Sequence, residues 1–302
     1  MNTIPVMRVY YVYSTQYQEV FMNTKNSKSY IKVYKGCVLL GSILFVASAL
    51  IGCKDPSNSG GGGTSSQYTK VAYGNLAGYL ASASSTEVNY IEITGNIPAA
   101  DLIGTFDTLT EVASPSPLGN TLKASGKKVA LKLPETVFGL SSMEYCFANC
   151  TDLVSVENIP SGVVNMKGSF EGCTGLTGAP SIPSGVTTMQ SCFNGCTGLT
   201  TAPAVPESVT TLGFCFAKCT ELTNAPVVPA SVNEMFFCFE GCSKLTAVTL
   251  KCNYVSGNFN FTFKDCSALG AGSITVPQGQ LGSYQGGAIA MSINQDRFKE
   301  AD

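Results

Sequence analysis

Residues 193–219 read FNGCTGLTTAPAVPESVTTLGFCFAKC, and this stretch begins and ends with the same motif, Phe-x-x-Cys. The motif occurs six times along the chain, and successive motif cysteines are separated by 23, 23, 23, 23 and 24 residues. Chance does not produce such regular spacing, which is typical of repeat architectures. The motif residues are Phe147, Cys150, Phe170, Cys173, Phe193, Cys196, Phe216, Cys219, Phe239, Cys242, Phe263 and Cys266.

Other apolar residues recur with the same period. The steps of three and four residues between them place one apolar side chain on the inner side of each short segment. A single 23-residue unit cannot bury these side chains, whereas stacked units form one continuous core. A leucine, for example, follows every motif cysteine by three residues, at Leu153, Leu176, Leu199, Leu222, Leu245 and Leu269.

These features predict a mainly β fold with short helical turns, a leucine-rich-repeat-type solenoid of about six 23-residue coils between two caps. Within one coil we expect a strand at Thr200–Ala202, an extended piece at Thr210–Leu212 and a helical turn at Cys215–Cys219. Proline is disfavoured inside a sheet, so the strand should end before the proline column. That column contains Pro180, Pro203 and Pro226.

An open stack exposes apolar ends, so its terminal units must differ from the others. We expect an N-terminal cap with atypical coils over 68–140, the solenoid over 141–269 and a C-terminal cap over 270–302, together forming one domain. The expected elements of the caps are a helix at 73–82, strands at 89–94 and 128–133, a helix at 101–109, a loop at 113–120, a last strand at 274–277, a short capping helix at 278–291 and a frayed tail.

The amino-terminal region predicts an export signal, and the alternative is an uncleaved membrane helix with an incidental cysteine. Val38–Leu50 is an apolar run that follows a lysine-rich stretch, and it is too short to span a bilayer, which takes roughly 20 residues. Leu50-Ile51-Gly52-Cys53 resembles the lipobox of bacterial lipoproteins, which implies lipidation of Cys53. We therefore expect an upstream extension and signal peptide over 1–52, and a lipid anchor with a Gly/Ser-rich tether over 53–67. Met22 is an alternative start to Met1.

Composition argues against the commonest catalytic systems. The chain has no His and no Trp, 13% charged residues and a net charge of −2. Without histidine, Ser-His-Asp and Cys-His nucleophile systems cannot be assembled, and most catalytic zinc sites are excluded. No clustered basic face suggests nucleic-acid binding. We expect a protein that is not an enzyme and has no cofactor.

Four coils carry a second cysteine, which forms Cys-x-x-x-Cys pairs, and three interpretations are open. Buried free thiols would behave as small apolar side chains. Disulfides would suit an exported protein but are awkward between residues i and i+4 of a helical turn. A metal site would need four ligands. Two coils have Ser169 or Thr262 in place of the first cysteine, which favours packing.

The repeat resembles the BspA-like leucine-rich repeats of bacterial surface proteins. The matching segments are CTGLT at 196–200, VPESVTTL at 205–212 and CFAKC at 215–219. The flanks match as well, in LAGYLAS at 76–82, YIEITG at 90–95 and VPQGQLGSY at 276–284. The resemblance covers about residues 70–298.

The resemblance implies a lipoprotein exported to the cell surface or outer membrane. It would attach, as an adhesin does, to host or matrix proteins or to neighbouring bacterial cells. Its contact with the membrane would be through the lipid anchor alone. The alternative is a structural component of the envelope or surface layer that has no specific ligand.

Overall fold

The computed structural model describes residues 67–302 together with the backbone of three upstream strands, β1 (Arg8–Tyr13), β2 (Tyr17–Thr24) and β3 (Ser27–Tyr34). These strands form an antiparallel sheet of order β1-β2-β3 within a unit that spans Met1–Gly62. A second unit spans Gly63–Asp302. The expected apolar signal segment Val38–Leu50 and the lipidation residue Cys53 lie outside the described residues.

A parallel sheet opens the second unit. Its strands are β4 (Thr69–Ala72), β5 (Asn89–Thr94), β8 (Val129–Lys132) and β9 (Leu153–Glu157), in the order β4-β5-β8-β9. Residues of β5 alternate between buried and partly exposed positions, which is the period of a strand with one face on the core. Helix α1 (Leu76–Ser82) follows a 3₁₀ turn at Tyr73–Asn75 and buries Leu76 and Leu80.

Between β5 and β8 the chain departs from expectation. The predicted helix at 101–109 is instead a short 3₁₀ turn, Ala99–Leu102, followed by the antiparallel hairpin of β6 (Thr105–Asp107) and β7 (Val112–Ser114). The predicted loop at 113–120 is wrong too, because it contains the start of helix α2 (Pro117–Ser125). Ser116 caps this helix by accepting from the Gly119 amide at 3.1 Å, and Pro117 occupies its first turn.

The repeat coils are joined by short parallel ladders rather than long strands. One ladder links single residues of five consecutive coils, and its rungs are Ser142↔Asn165, Asn165↔Thr188, Thr188↔Thr211 and Thr211↔Glu234. The strand expected at Thr200–Ala202 is reduced to one bridging residue, Thr201, which pairs with Asn224. Pro203 follows within two residues and lacks the amide that would extend the ladder.

The segment expected to form a helical turn consists of overlapping hydrogen-bonded turns. In the first coil the Cys146 and Cys150 amides donate to the Met143 and Phe147 carbonyls, three residues back. Alternate amides point to the next coil instead, as when the Phe147 amide donates to the Ser169 carbonyl at 2.8 Å. The segment cannot become helical, because half of its amides are committed to the neighbouring coil.

The C-terminal cap is a second parallel sheet of order β10-β11-β12, formed by β10 (Val248–Thr249), β11 (Ile274–Val276) and β12 (Phe298–Glu300). The strand expected at 274–277 is present as β11, but it is not the last one. The expectation that the tail frays was wrong, because β12 pairs with β11 and buries Phe298. Helix α3 (Leu281–Gly286) is shorter than expected and precedes a 3₁₀ turn at Gln295–Arg297. Within the described residues, no helix has the length and apolarity needed to cross a membrane.

The main hydrophobic core of the second unit runs from Val71 to Phe298, and a small second cluster contains Ala113, Tyr145 and Ala148. The motif phenylalanines form its centre as a row of stacked rings, with centroids of neighbouring coils between 5.4 and 6.0 Å apart. A continuous core that is shared between stacked coils is the defining feature of a leucine-rich-repeat solenoid.

Candidate interaction surfaces

The motif side chains are structural. All six motif phenylalanines and all six motif cysteines are buried in the core. Every cysteine in residues 67–302 is a free thiol. Within the described residues, no group of three Cys, Asp or Glu side chains is arranged to hold a metal ion. The motif cysteines lie where small packing side chains would lie.

The motif cysteines also donate hydrogen bonds between coils, a role that was not inferred from the sequence. The Cys173 thiol donates to the Phe147 carbonyl of the preceding coil at 3.0 Å, and the same bond recurs along the stack. At the position of the first cysteine, the Ser169 hydroxyl donates to the Met143 carbonyl at 2.8 Å. Thr262 does the same to Met235 at 3.0 Å. Small side chains with a donor are therefore interchangeable there.

The thiols are poor nucleophiles in the folded protein. Burial raises the pKa of Cys150, Cys219 and Cys266 to about 12, and it raises the pKa of the remaining described cysteines as well. Reactive cysteines need a thiolate and an accessible, electropositive surrounding. The environment of the motif cysteines therefore does not favour catalysis or redox signalling by their thiols.

We call the outward side of the first parallel sheet, with its continuation along the coils, the sheet face. On it, Tyr68 and Tyr90 meet edge to face, with ring centroids 5.6 Å apart. The Tyr68 hydroxyl donates to the Glu157 carboxylate. Burial, and to a smaller extent this hydrogen bond, raises the pKa of Tyr68 to about 12. Glu92 and Lys132 pair at 3.8 Å in the row beside them. Both tyrosines are thus held in place while remaining half-exposed.

Beyond β9 the sheet face becomes uncharged. The residue after each motif leucine is exposed in the middle coils, and it is threonine at Thr177, Thr200, Thr223 and Thr246. A cleft of about 610 Å³ opens beside Glu157. The equivalent position of the next coil is occupied by Pro180. Ile159 and Ile182 line the cleft. The sheet face therefore has an aromatic end, a cleft beside Glu157 and a row of threonines beyond it.

We call a second line of turns the turn face, defined by the residue five positions before each motif cysteine. This residue has a positive φ in every coil, between 50° and 59°. The left-handed region suits glycine and costs other residues roughly 1–2 kcal/mol. The residues there are Tyr145, Gly168, Ser191, Phe214, Phe237 and Phe261. No sequence signal pointed to this column, because five of the six are not glycine.

The last three residues of that column form a second, shallower row of rings. Phe237 stacks between Phe214 and Phe261, with both centroid distances 4.8 Å. Phe236 covers Gly213 and meets Phe214 edge to face at 5.3 Å. Unlike the core row, this row reaches solvent, since Phe261 is 42% exposed and the other rings are half-buried.

The first residue of the column is covered by the chain itself. The β6–β7 hairpin stands on the turn face, where Phe106 stacks on Tyr145 at 5.4 Å and the Gly104 amide donates to the Glu144 carbonyl at 2.7 Å. Tyr145 is consequently only 4% exposed. The hairpin leaves its own tip in water, with Leu109 94% and Val112 52% exposed.

Comparison with known proteins places these features in a family. The model described as "BspA type Leucine rich repeat region (6 copies)" matches residues 129–235 and 192–289, a little more than half of the chain. A search of curated proteins finds no match.

Two solved structures are similar to the chain. The leucine-rich-repeat protein TpLRR of T. pallidum is 24% identical, with a TM-score of 0.41, over 58% of this chain and 79% of that one. A leucine-rich-repeat protein from Bacteroides ovatus is 20% identical, with a TM-score of 0.37, over 48% of this chain and 38% of that one. The repeat spacing, the shared core and the match of the family model together show that this chain belongs to the BspA-type leucine-rich-repeat family.

Proposed function

We propose that this chain is a surface lipoprotein whose solenoid binds proteins of a host, an extracellular matrix or a neighbouring cell. Leucine-rich-repeat domains generally mediate protein–protein interaction and are typically not enzymes. The finer claims, namely the anchor and adhesion, rest on the sequence of the amino-terminal region and on the surfaces described above.

The observation that carries the proposal is the tyrosine end of the sheet face. Tyrosine is enriched at protein interfaces because it offers a large rigid surface with a polar tip. Tyr68 and Tyr90 brace each other, and the Glu157 carboxylate orients the Tyr68 hydroxyl, so little conformational freedom is lost on binding. The uncharged coils alongside extend the contact area, as solenoid surfaces do.

A binding screen tests the function. The full chain, displayed on cells, would be presented to matrix and plasma proteins, and we expect saturable binding to at least one of them. Tyr90→Ala should weaken that binding at least tenfold, as expected for an aromatic anchor of a protein interface. Phe138→Ala is the matched control, because this aromatic is 98% exposed and lies outside the sheet face.

Two outcomes would refute the adhesive role. Absence of saturable binding across the panel is one. The other is that cells lacking the protein lose surface order while keeping their adherence, which would support a structural envelope component instead.

The anchor has a separate test. Palmitate labelling of cells should mark the wild-type chain and leave Cys53→Ala unlabelled, since the thiol of Cys53 is the proposed acceptor. Cys37→Ala is the control, because this cysteine precedes the apolar segment. Equal labelling of all three chains would contradict lipidation at Cys53.

A further inference from the structure

The turn face carries two apolar features at opposite ends of the same column. The β6–β7 hairpin stands at the N-terminal end, with Leu109 and Val112 exposed at its tip. The shallow ring row of Phe214, Phe237 and Phe261 lies at the other end. Five coil steps separate Tyr145 from Phe261, or roughly 24 Å at the usual spacing between strands.

We infer that the turn face is a self-association surface on which two copies of this chain pack antiparallel, each hairpin tip seated on the ring row of the other copy. Within one chain the hairpin already covers the first aromatic residue of the column, because Phe106 stacks on Tyr145. The uncovered aromatic residues of the same column then receive the hairpin of the second copy.

The exposed chemistry favours aliphatic side chains as occupants. The faces of the three rings are occupied by one another at 4.8 Å, so only their edges and the outer face of the row are accessible. A sugar ring, which stacks on an aromatic face, finds little platform there. Leu109 and Val112 offer compact aliphatic side chains on this chain itself, with the exposed polar residues Thr110 and Glu111 between them.

Symmetry provides an independent argument. Two features at opposite ends of one face meet pairwise around a twofold axis, which closes the assembly instead of extending it into a fibre. With the hairpin on Tyr145 in the first coil and Phe237 at the centre of the ring row in the fifth, that axis falls near the third coil. Ser191 occupies the column at that coil, and Ser191 and the preceding Gly168 are the smallest residues of the column. Two backbones can approach closely only where the side chains between them are small.

The oligomeric state of the full chain tests this inference. Sedimentation equilibrium in a density-matched detergent, from about 1 to about 100 µM, covers the affinities expected for an interface of modest area. We expect a concentration-dependent mass that rises from one chain to two. A mass that stays at one chain throughout would overturn the inference and leave the binding function of the sheet face untouched.

Three variants locate the contact. Leu109→Asp places a charge at the hairpin tip. Phe237→Ser removes a ring and introduces the residue that the same column has at Ser191. Ser191→Arg places a bulky side chain at the axis. Each should weaken dimerisation at least tenfold. Thr223→Arg, the same kind of change on the sheet face, should leave it unchanged, and thermal unfolding of each variant verifies that it folds.

Mixing the Leu109→Asp and Phe237→Ser chains gives the most specific test of the antiparallel arrangement. Each homodimer of Leu109→Asp or of Phe237→Ser contains two damaged contacts, whereas the mixed dimer contains one intact contact. An equimolar mixture should therefore dimerise more strongly than either variant alone. A mixture no stronger than its components, or a dimer that Ser191→Arg leaves intact, would refute the antiparallel arrangement.

Discussion

Replacing Phe193 by alanine should destabilise the solenoid more than almost any other single change. Phe193 is fully buried in the middle of the core row and stacks on Phe170 at 5.4 Å and on Phe216 at 5.6 Å. A buried Phe→Ala change costs about 3–5 kcal/mol, and each ring pair contributes about 0.5–1.5 kcal/mol beyond burial. Because both ring neighbours lose their partner, we expect a loss of about 4–5 kcal/mol.

The magnitude should depend on position along the row. Phe147 lies at the N-terminal end and stacks on Phe170. Phe147→Ala should therefore cost about 1 kcal/mol less than Phe193→Ala, by the value of one ring pair. Urea unfolding followed by far-ultraviolet circular dichroism measures both, since the chain has no tryptophan to report on unfolding.

Lys218→Ala is the matched control, because Lys218 is exposed although it lies within two residues of the core phenylalanine Phe216. Substitutions at exposed positions usually change stability by less than about 0.5 kcal/mol. Equal losses for Phe193→Ala and Lys218→Ala would refute the assignment of the inward row.

Three further changes follow from the same geometry. Cys196→Val removes the thiol donor to the Phe170 carbonyl and should cost about 0.5–1.5 kcal/mol more than Cys196→Ser in urea unfolding, whereas equal costs would argue against this hydrogen bond. Lys218→Gly should raise the midpoint by relieving a φ of 61°, with a net gain of about 0.5–1 kcal/mol, and a loss would contradict the strain. Stability should be constant between about pH 7 and 8.5 and fall above that, because Cys150 and Cys219 keep a pKa of about 12 when folded while unfolded thiols ionise near 8.5; a urea midpoint that stays flat up to about pH 10.5 would contradict it.

The repeat and its core could be predicted from the sequence because the period is long, regular and carried by large apolar side chains. A 23-residue step that brings Phe193 beneath Phe216 has few solutions other than stacking. Strands β5 and β8 were predicted within one residue of their observed ends for a similar reason, since their buried residues follow each other in short apolar runs.

The missed features depend on contacts distant in sequence. The hairpin at 105–114 is stabilised by Tyr145, some forty residues downstream, and its own strands are only three residues long. Strand β12 is fixed by pairing with β11 and by burial of Phe298. Ser116 and Pro117 form a recognisable helix start, with Ser116 as the N-cap. The prediction at 113–120 was wrong because Pro and Ser were interpreted as loop residues.

Two columns of left-handed residues run along the turns, and their residue types differ for a physical reason. The column directly before each motif cysteine contains Asn149, Gly172, Gly195, Lys218, Gly241 and Asp265, mostly residues that tolerate a positive φ. The column four positions earlier has the same backbone requirement but carries phenylalanine in the last three coils. Backbone preference therefore does not explain those phenylalanines.

Stacking explains only part of them. Each left-handed phenylalanine costs roughly 1–2 kcal/mol of backbone strain, and each ring pair at 4.8 Å returns about 0.5–1.5 kcal/mol. Three strained residues and two ring pairs leave no net stabilisation from this source, whereas Gly168 and Ser191 show that a coil closes without a ring. Stacking alone therefore does not account for the row, and because the row reaches solvent we propose that it serves the contact with a second copy of the chain.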